Sequence, residues 1–266
     1  MPIDFNIATP RTTQKRRARR CYNFQQICRL ELPSRKRKIT MLKIAGFEIV
    51  RIADTPWQKR VRFDGRESRF AMYNDDLENG LRMSIVEYPL GSVEPRHVHP
   101  GTHATTVVKG RAIIDGLTLK PLDCILGPSH EPHGPLEYPD SCTLFSCFQG
   151  SNDHSEVKQL GSERHYRLIQ ADTLAWQTSE SGAGEGKTLV DHGAGRLLLR
   201  AVKFAPGAKL APQTHPFMRA SLIVEGGAMI GGDSFGVWDF LYQRKGVEHG
   251  PVEFPNGATL LSVAMR

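Results

Sequence analysis

The sequence contains few cysteines, and their positions exclude the common uses of paired thiols. Only five of its 266 residues are cysteine: Cys21, Cys28, Cys124, Cys142 and Cys147. The number is odd, and no two cysteines have the C-x-x-C spacing of zinc or redox sites. We therefore expect no disulfide framework and a reducing, cytoplasmic location.

Long apolar runs and several well-known functional motifs are also missing. No segment approaches the roughly 20 apolar residues of a membrane-spanning helix, so no membrane partner is expected. The chain has no G-x-S-x-G element and no dinucleotide fingerprint. The glycine-rich stretch 226–236 lacks the Lys-Ser/Thr pair of a phosphate-binding loop. Serine hydrolases and nucleotide-binding enzymes are thus not favoured.

The positive charge of the chain is confined to one end. Residues 1–40 hold 11 Lys or Arg residues and two acidic residues, a net charge of +9, whereas the remainder holds 24 basic and 26 acidic residues, a net charge of −2. We interpret residues 1–40 as a disordered basic tail; sequence upstream of a start at Met41, a transit peptide or a nucleic-acid arm are the alternatives. No nucleic-acid partner is expected for the nearly neutral remainder.

An internal repeat divides the rest of the chain. The stretch HGPLEYP at 133–139 returns as HGPVEFP at 249–255, an offset of 116 residues. Gly110 and Gly226, and Asp123 and Asp239, match at the same offset. We predict two copies of one domain, residues 41–155 and 156–266, joined in a polar stretch.

Each copy is predicted to consist of β-strands. Short runs such as RMSIVEY, CTLFSCF and LLLRAVKF are rich in β-branched or aromatic residues and are separated by Gly, Pro and Asp. Helix signals are weak throughout. The fold class is therefore all-β, with a sandwich or barrel in each copy.

Histidines are concentrated in the first copy. The stretch RHVHPGTH at 96–103 contains His97, His99 and His103, and His133 follows a later turn. Residues two apart in a strand point to the same face, so His97 and His99 can enter one interior. A Pro-Gly turn can return His103 to their side, and a neighbouring strand can deliver His133.

This pattern resembles the cupin superfamily. The family's first motif, G-x5-H-x-H-x3/4-E-x6-G, is matched from Gly91 to Gly110, with His103 in the glutamate position. Its second motif, P-x-G-x2-H, is matched by Pro128 and His133, with His130 in the glycine position. Over residues 41–266 the resemblance implies a bicupin of two tandem jelly-roll barrels. The chain is more loosely similar to diketone and hydroxyacetophenone dioxygenases and to the cupin part of anti-sigma factors.

The resemblance implies one divalent metal ion in the first copy, with four ligands: His97, His99, His103 and His133. Imidazole is a common ligand of Fe, Zn, Cu and Ni, and four neutral ligands favour an anionic oxygen as a further ligand. Fe(II) is the favoured ion, with Zn, Mn or Ni as alternatives. Glu131 and Glu137 are candidates for an acid or base role, or lie on a solvated rim.

The second copy retains half of this pattern. At the offset of 116 the four positions are occupied by Gln213, His215, Arg219 and His249. A guanidinium beside a divalent cation is repulsive, so we expect no metal there. Arg219 is instead a candidate to hold a carboxylate, which makes these four residues a candidate substrate-binding set; a vestigial domain kept for packing is the alternative.

Three functional classes are compatible with the sequence. The first is an Fe(II)-dependent dioxygenase that cleaves a small diketone or hydroxyketone bound as its enolate. The second is a non-redox Zn or Mn enzyme, such as an isomerase, cyclase or lyase. The third is a metal-holding sensor that binds a small molecule without turnover. By family analogy we expect a homodimer.

Overall fold

The structure is a computed structural model that describes residues 40–62, 65–76, 81–153, 155–156, 165–179, 181–193 and 196–265. Apart from Thr40, the predicted basic tail lies outside the described residues. Within these ranges the chain forms β-strands and two short 3-10 turns, Ile52–Asp54 and Ala171–Thr173, and no α-helix. The all-β prediction is therefore confirmed. No helix in the described part of the chain has the length and apolar character needed to cross a membrane.

The described part of residues 40–156 forms fourteen strands. They are β1 (Leu42–Ile44), β2 (Phe47–Val50), β3 (Gln58–Val61), β4 (Glu67–Asp76), β5 (Leu81–Tyr88), β6 (Ser92–Glu94), β7 (His97–Val98), β8 (Thr102–Lys109), β9 (Ala112–Ile114), β10 (Leu117–Leu119), β11 (Cys124–Gly127), β12 (Leu136–Tyr138), β13 (Cys142–Gln149) and β14 (Ser155–Glu156).

The described part of residues 165–265 forms eleven more strands, which largely repeat the order of the first set. They are β15 (Arg167–Ile169), β16 (Gln177–Thr178), β17 (Glu185–Asp191), β18 (Leu197–Phe204), β19 (Ala208–Leu210), β20 (Arg219–Gly226), β21 (Ala228–Ile230), β22 (Asp233–Phe235), β23 (Phe240–Gln243), β24 (Val252–Phe254) and β25 (Ala258–Met265).

The strands form two jelly rolls, each with one large and one small antiparallel sheet. In the first, the large sheet has the order β15-β11-β8-β13-β5-β4-β3 and the small sheet the order β10-β9-β12-β6. In the second, the large sheet has the order β1-β2-β23-β20-β25-β18-β17-β16 and the small sheet the order β19-β24-β21-β22. The predicted tandem jelly-roll fold is confirmed.

The two jelly rolls exchange strands near the edges of their large sheets. Strand β2, at the start of the described chain, pairs with β23 of the second jelly roll, and β15 pairs with β11 of the first. The 3-10 turn after each exchanged strand is held by a buried aspartate of the other jelly roll: Asp239 accepts from the Ile52 N–H at 2.9 Å, and Asp123 accepts from the Ala171 N–H at 2.7 Å. Sheet pairing therefore crosses the predicted boundary at 155–156.

Successive side chains along a strand point to opposite faces of the sheet, and the buried ones form three separate apolar clusters. On β13, Leu144 faces the interior of the first jelly roll, whereas Phe145 and Cys147 face the second large sheet. The largest cluster contains residues of both large sheets, which pack face to face; Tyr73 of β4, for example, stacks on Phe240 of β23 at 4.9 Å. The opposite, inward faces are left to form the interior of each jelly roll.

Candidate metal centre

The two histidine motifs meet through the backbone. His97 lies on β7, and His133 lies in the segment between β11 and β12. The N–H of each residue donates to the C=O of the other, both at 3.0 Å. This pairing fixes the two side chains on the same side, and His99, two residues after His97, joins them.

Three imidazoles converge in the interior of the first jelly roll. One nitrogen each from His97, His99 and His133 lies within 4.8 Å of the other two, and all three side chains are buried. Among the described residues this is the one group of three or more His, Cys, Asp or Glu side chains with such a spacing. The Nε2 atoms of His97 and His99 are 3.1 Å apart.

The opposite nitrogen of each ring fixes its tautomer. Nδ1 of His97 lies 2.8 Å from the Pro95 carbonyl, Nδ1 of His99 lies 3.1 Å from the Asp153 carbonyl, and Nδ1 of His133 lies 3.1 Å from the Glu131 carbonyl. A carbonyl only accepts, so Nδ1 carries the proton in each ring and Nε2 presents a lone pair.

Two Nε2 lone pairs at 3.1 Å repel each other unless a cation lies between them. Anchoring of one ring nitrogen by a carbonyl is the usual arrangement of metal-binding histidines. The donor set therefore fits a divalent metal ion that accepts nitrogen ligands.

Burial keeps these rings neutral, which is the form that binds metal. It lowers the pKa of His99 and of His133 to about 4, with a smaller contribution from the neighbouring imidazoles. The pKa of His97 is lowered for the same main reason. At neutral pH no proton competes with a metal ion for the three Nε2 atoms.

His103 lies beside the cluster but outside the group of three. Its ring centroid is 4.7 Å from that of His133, and its Nδ1 is 3.1 Å from the Thr105 hydroxyl. Its Nε2 is buried, has no hydrogen-bond partner and lies over Gly127, where a Cβ atom would be only 2.1 Å away. The predicted fourth ligand thus has a nitrogen available, at a greater distance than the other three.

A buried carboxylate near the histidines was not predicted from the sequence. Glu94, at the end of β6, accepts from Arg62 at 3.0 Å and from the hydroxyls of Tyr88 and Tyr138 at 2.9 and 3.1 Å. Its charge opposes the pKa-lowering effect of burial at His97. Alternation places Glu94 and Ser92 on the inward face of β6, but the sequence alone does not show that Arg62 faces it.

The site opens into a small cavity of about 70 Å³. Its lining includes the four histidines, Glu94, Arg60, Ser146, Phe148 and Asn152. The two predicted acid or base candidates do not line it. Glu137 is exposed on β12, and the Glu131 carboxylate accepts from the His165 N–H at 2.9 Å.

The second jelly roll repeats the framework with two of the four histidines, His215 and His249. Gln213 and His249 form the same reciprocal backbone pair, at 3.0 Å, as His97 and His133. The ring centroids of His215 and His249 are 4.9 Å apart. Arg219, the first residue of β20, takes the position that His103 has near the start of β8. The pKa of His249 is lowered, mainly by burial and further by the charge of Arg219.

Comparisons with known proteins agree with this geometry. Residues 164–266 match the ChrR cupin-like domain. The cupin motifs lie in the first jelly roll, whereas this match covers the second. The two observations are therefore independent. A comparison with curated proteins gives no significant match.

Solved structures resemble the chain over both jelly rolls. A proposed dioxygenase from Nostoc punctiforme has a TM-score of 0.73 and 12% identity, covering 84% of this chain and 83% of that chain. The formate complex of oxalate decarboxylase from Lactobacillus farciminis has a TM-score of 0.62 and 11% identity, covering 85% and 87%. AerE from Microcystis aeruginosa has a TM-score of 0.57 and 12% identity, covering 80% and 98%. At these identities the likeness concerns the fold.

Proposed function

We propose that the chain is a bicupin enzyme with one mononuclear metal centre, an Fe(II)-dependent dioxygenase for a small oxygenated substrate. The observation that carries the proposal is the convergence of three neutral Nε2 atoms, each fixed by a carbonyl at its own Nδ1. Bound Fe(II) would supply a Lewis-acidic, redox-active centre with positions open to a substrate and to O2.

The residues around the histidines suit a small substrate bound as an anion. His97, His99 and His133 are the proposed ligands, with His103 as a proposed fourth ligand at longer range. The cavity of about 70 Å³ favours a small substrate. Arg60, which lines the same cavity, favours an anionic oxygen such as that of a diketone or hydroxyketone enolate.

Glu94 has a supporting role in this proposal. Its two oxygens already accept from Arg62 and from two tyrosine hydroxyls, so it is not positioned to remove a substrate proton. Its buried ion pair with Arg62 instead holds the polar wall of the cavity beneath the histidines in place. We also expect a homodimer and no nucleic-acid partner.

Oxygen uptake tests the proposal. Anaerobically purified protein reconstituted with Fe(II) is mixed with a panel of small diketones and hydroxyketones, and O2 consumption is recorded beside a His97→Ala/His99→Ala variant. Substrate-dependent uptake that the variant lacks supports the dioxygenase. Conversion of a substrate with Zn or Mn and without O2 consumption would replace it by the non-redox enzyme. Tight metal binding without turnover of any compound would favour the sensor.

A further inference from the structure

The second jelly roll encloses a larger cavity than the first. Its volume is about 240 Å³, against about 70 Å³ around the histidines of the first jelly roll. One substitution within the repeat enlarges the second cavity. The Phe148 ring packs at 4.9 Å on His99 and at 5.1 Å on His103, whereas the corresponding position of β25 is Ala264, which lines the larger cavity.

Two guanidinium groups line this cavity. Arg200 of β18 takes the position of Ser84, and Arg219 of β20 takes the position of His103. Two arginines in a partly desolvated cavity favour an anionic guest, and the planar guanidinium suits a carboxylate.

A buried amide beside Arg219 has unused hydrogen-bonding capacity. Gln243 of β23 is directly opposite Arg219 in the sheet and is 7% exposed. It lines the cavity, and its Oε1 has no hydrogen-bond partner. An amide rotated by 180° would present its N–H2 instead, so the group can meet either an acceptor or a donor of a guest molecule. The matching residue of the first jelly roll is Gly127, which has no polar side chain.

The deeper wall of the cavity is apolar. Phe204 and Phe254 stack at 4.0 Å with an interplanar angle of 6°. They replace the stacked Tyr88 and Tyr138 of the first jelly roll, and Leu210 replaces Glu94. The polar network beneath the histidines is therefore replaced by hydrocarbon. A guest must combine a charged group near the arginines with an apolar body.

We infer that the second jelly roll is a binding site for a small organic acid, with the carboxylate at Arg200 and Arg219 and the apolar body against Phe204 and Phe254. The site is distinct from the metal centre and does not depend on the proposed dioxygenase activity. It gives the second jelly roll a function of its own.

Isothermal titration calorimetry with benzoate and hexanoate tests the inference, with benzamide as the uncharged counterpart of benzoate. One acid molecule is expected per chain, and benzamide should bind at least about tenfold more weakly because it lacks the charge. Arg219→Met should weaken acid binding by a similar factor. Ala264→Phe keeps both arginines and fills the cavity, and should abolish binding. Arg111→Met, at an exposed arginine paired with Asp140, is the matched control and should bind like the wild type.

Several results would overturn the inference. They are no binding of either acid to folded wild-type protein, equal binding of benzamide, or unchanged binding by Ala264→Phe. Loss of acid binding in the His97→Ala/His99→Ala variant would show that the acid binds in the first jelly roll, and would also overturn the inference. Thermal melts of each variant show that a loss of binding is not a loss of folding.

Discussion

At the scale of single residues, the proposed site depends on which nitrogen of each imidazole carries the proton. Backbone carbonyls hold the Nδ1 protons of His97, His99 and His133, so the three Nε2 atoms are acceptors. His103 differs because its Nδ1 contacts the Thr105 hydroxyl, which can donate or accept. The three anchored rings are therefore prepared to bind a metal ion before it arrives.

This difference predicts unequal effects of two substitutions. His99→Ala removes one of three converging nitrogens and should abolish stable metal binding. His103→Ala should weaken metal binding less, by about ten- to a hundredfold, because His103 lies outside the group of three converging nitrogens. Metal titrations followed by competition with a chelator measure both. Equal loss in the two variants would show that all four histidines are required, and no effect of His103→Ala would remove His103 from the site.

The histidine pattern could be predicted from the sequence because spacing alone brings His97 and His99 to one face. The remaining parts of the site depend on contacts between distant segments. Glu94 is buried by Arg62, which lies 32 residues away in the chain. The carbonyl that orients His99 belongs to Asp153. No local pattern encodes such pairs, since they arise only when the sheets are packed.

At the scale of structural elements, the repeat preserves turns as well as strands. Gly110 follows β8 and Gly226 is the last residue of β20, with φ of +75° and +70°. A Cβ atom would lie 2.0 Å from the Ser141 carbonyl oxygen at Gly110, and 2.1 Å from the Gly257 carbonyl oxygen at Gly226. Both positions therefore require glycine for its backbone conformation and for its lack of a side chain.

We predict that Gly110→Ala and Gly226→Ala each lower the free energy of unfolding by about 2–4 kcal/mol. The matched control is Gly116→Ala, which has φ of +77° but no atom within 4 Å of the added Cβ. It should cost about 1 kcal/mol, the backbone contribution alone. Denaturant melts measure all three. Equal losses in the three variants would contradict the steric argument.

The sequence predicted strands in both jelly rolls from short runs of β-branched and aromatic residues separated by turn residues, but not the exchange of β2 and β15. The residue pattern of a strand indicates which of its faces is buried, but not which sheet the strand joins. The partner is decided by contacts such as that between Asp239 and the turn after β2, across 187 residues.

At the scale of the whole molecule, the two jelly rolls are joined by exchanged strands and by a shared apolar cluster. Asp123 and Asp239 are buried, and each accepts one backbone N–H from the other jelly roll and one from its own. We therefore predict that the chain unfolds in one calorimetric transition. Two separated transitions would show that the jelly rolls are independent.

The same aspartates allow a more specific prediction. Asp123→Asn and Asp239→Asn should each lower the free energy of unfolding by about 2 kcal/mol, because a buried charge-assisted hydrogen bond is weakened. Asp140→Asn, at an exposed aspartate paired with Arg111, should change it by less than about 1 kcal/mol. Denaturant melts compare the three variants. A loss at Asp140 as large as at Asp123 would contradict the assigned role of the aspartates.

The central claim is that one metal ion binds the first jelly roll. Its most direct test is elemental analysis by mass spectrometry of anaerobically purified, folded protein. Wild type and His215→Ala/His249→Ala should each contain about one divalent metal ion per chain, and His97→Ala/His99→Ala should contain essentially none. Two metal ions per chain, retention by His97→Ala/His99→Ala, or no metal after reconstitution of the wild type with Fe, Zn and Mn would contradict the account.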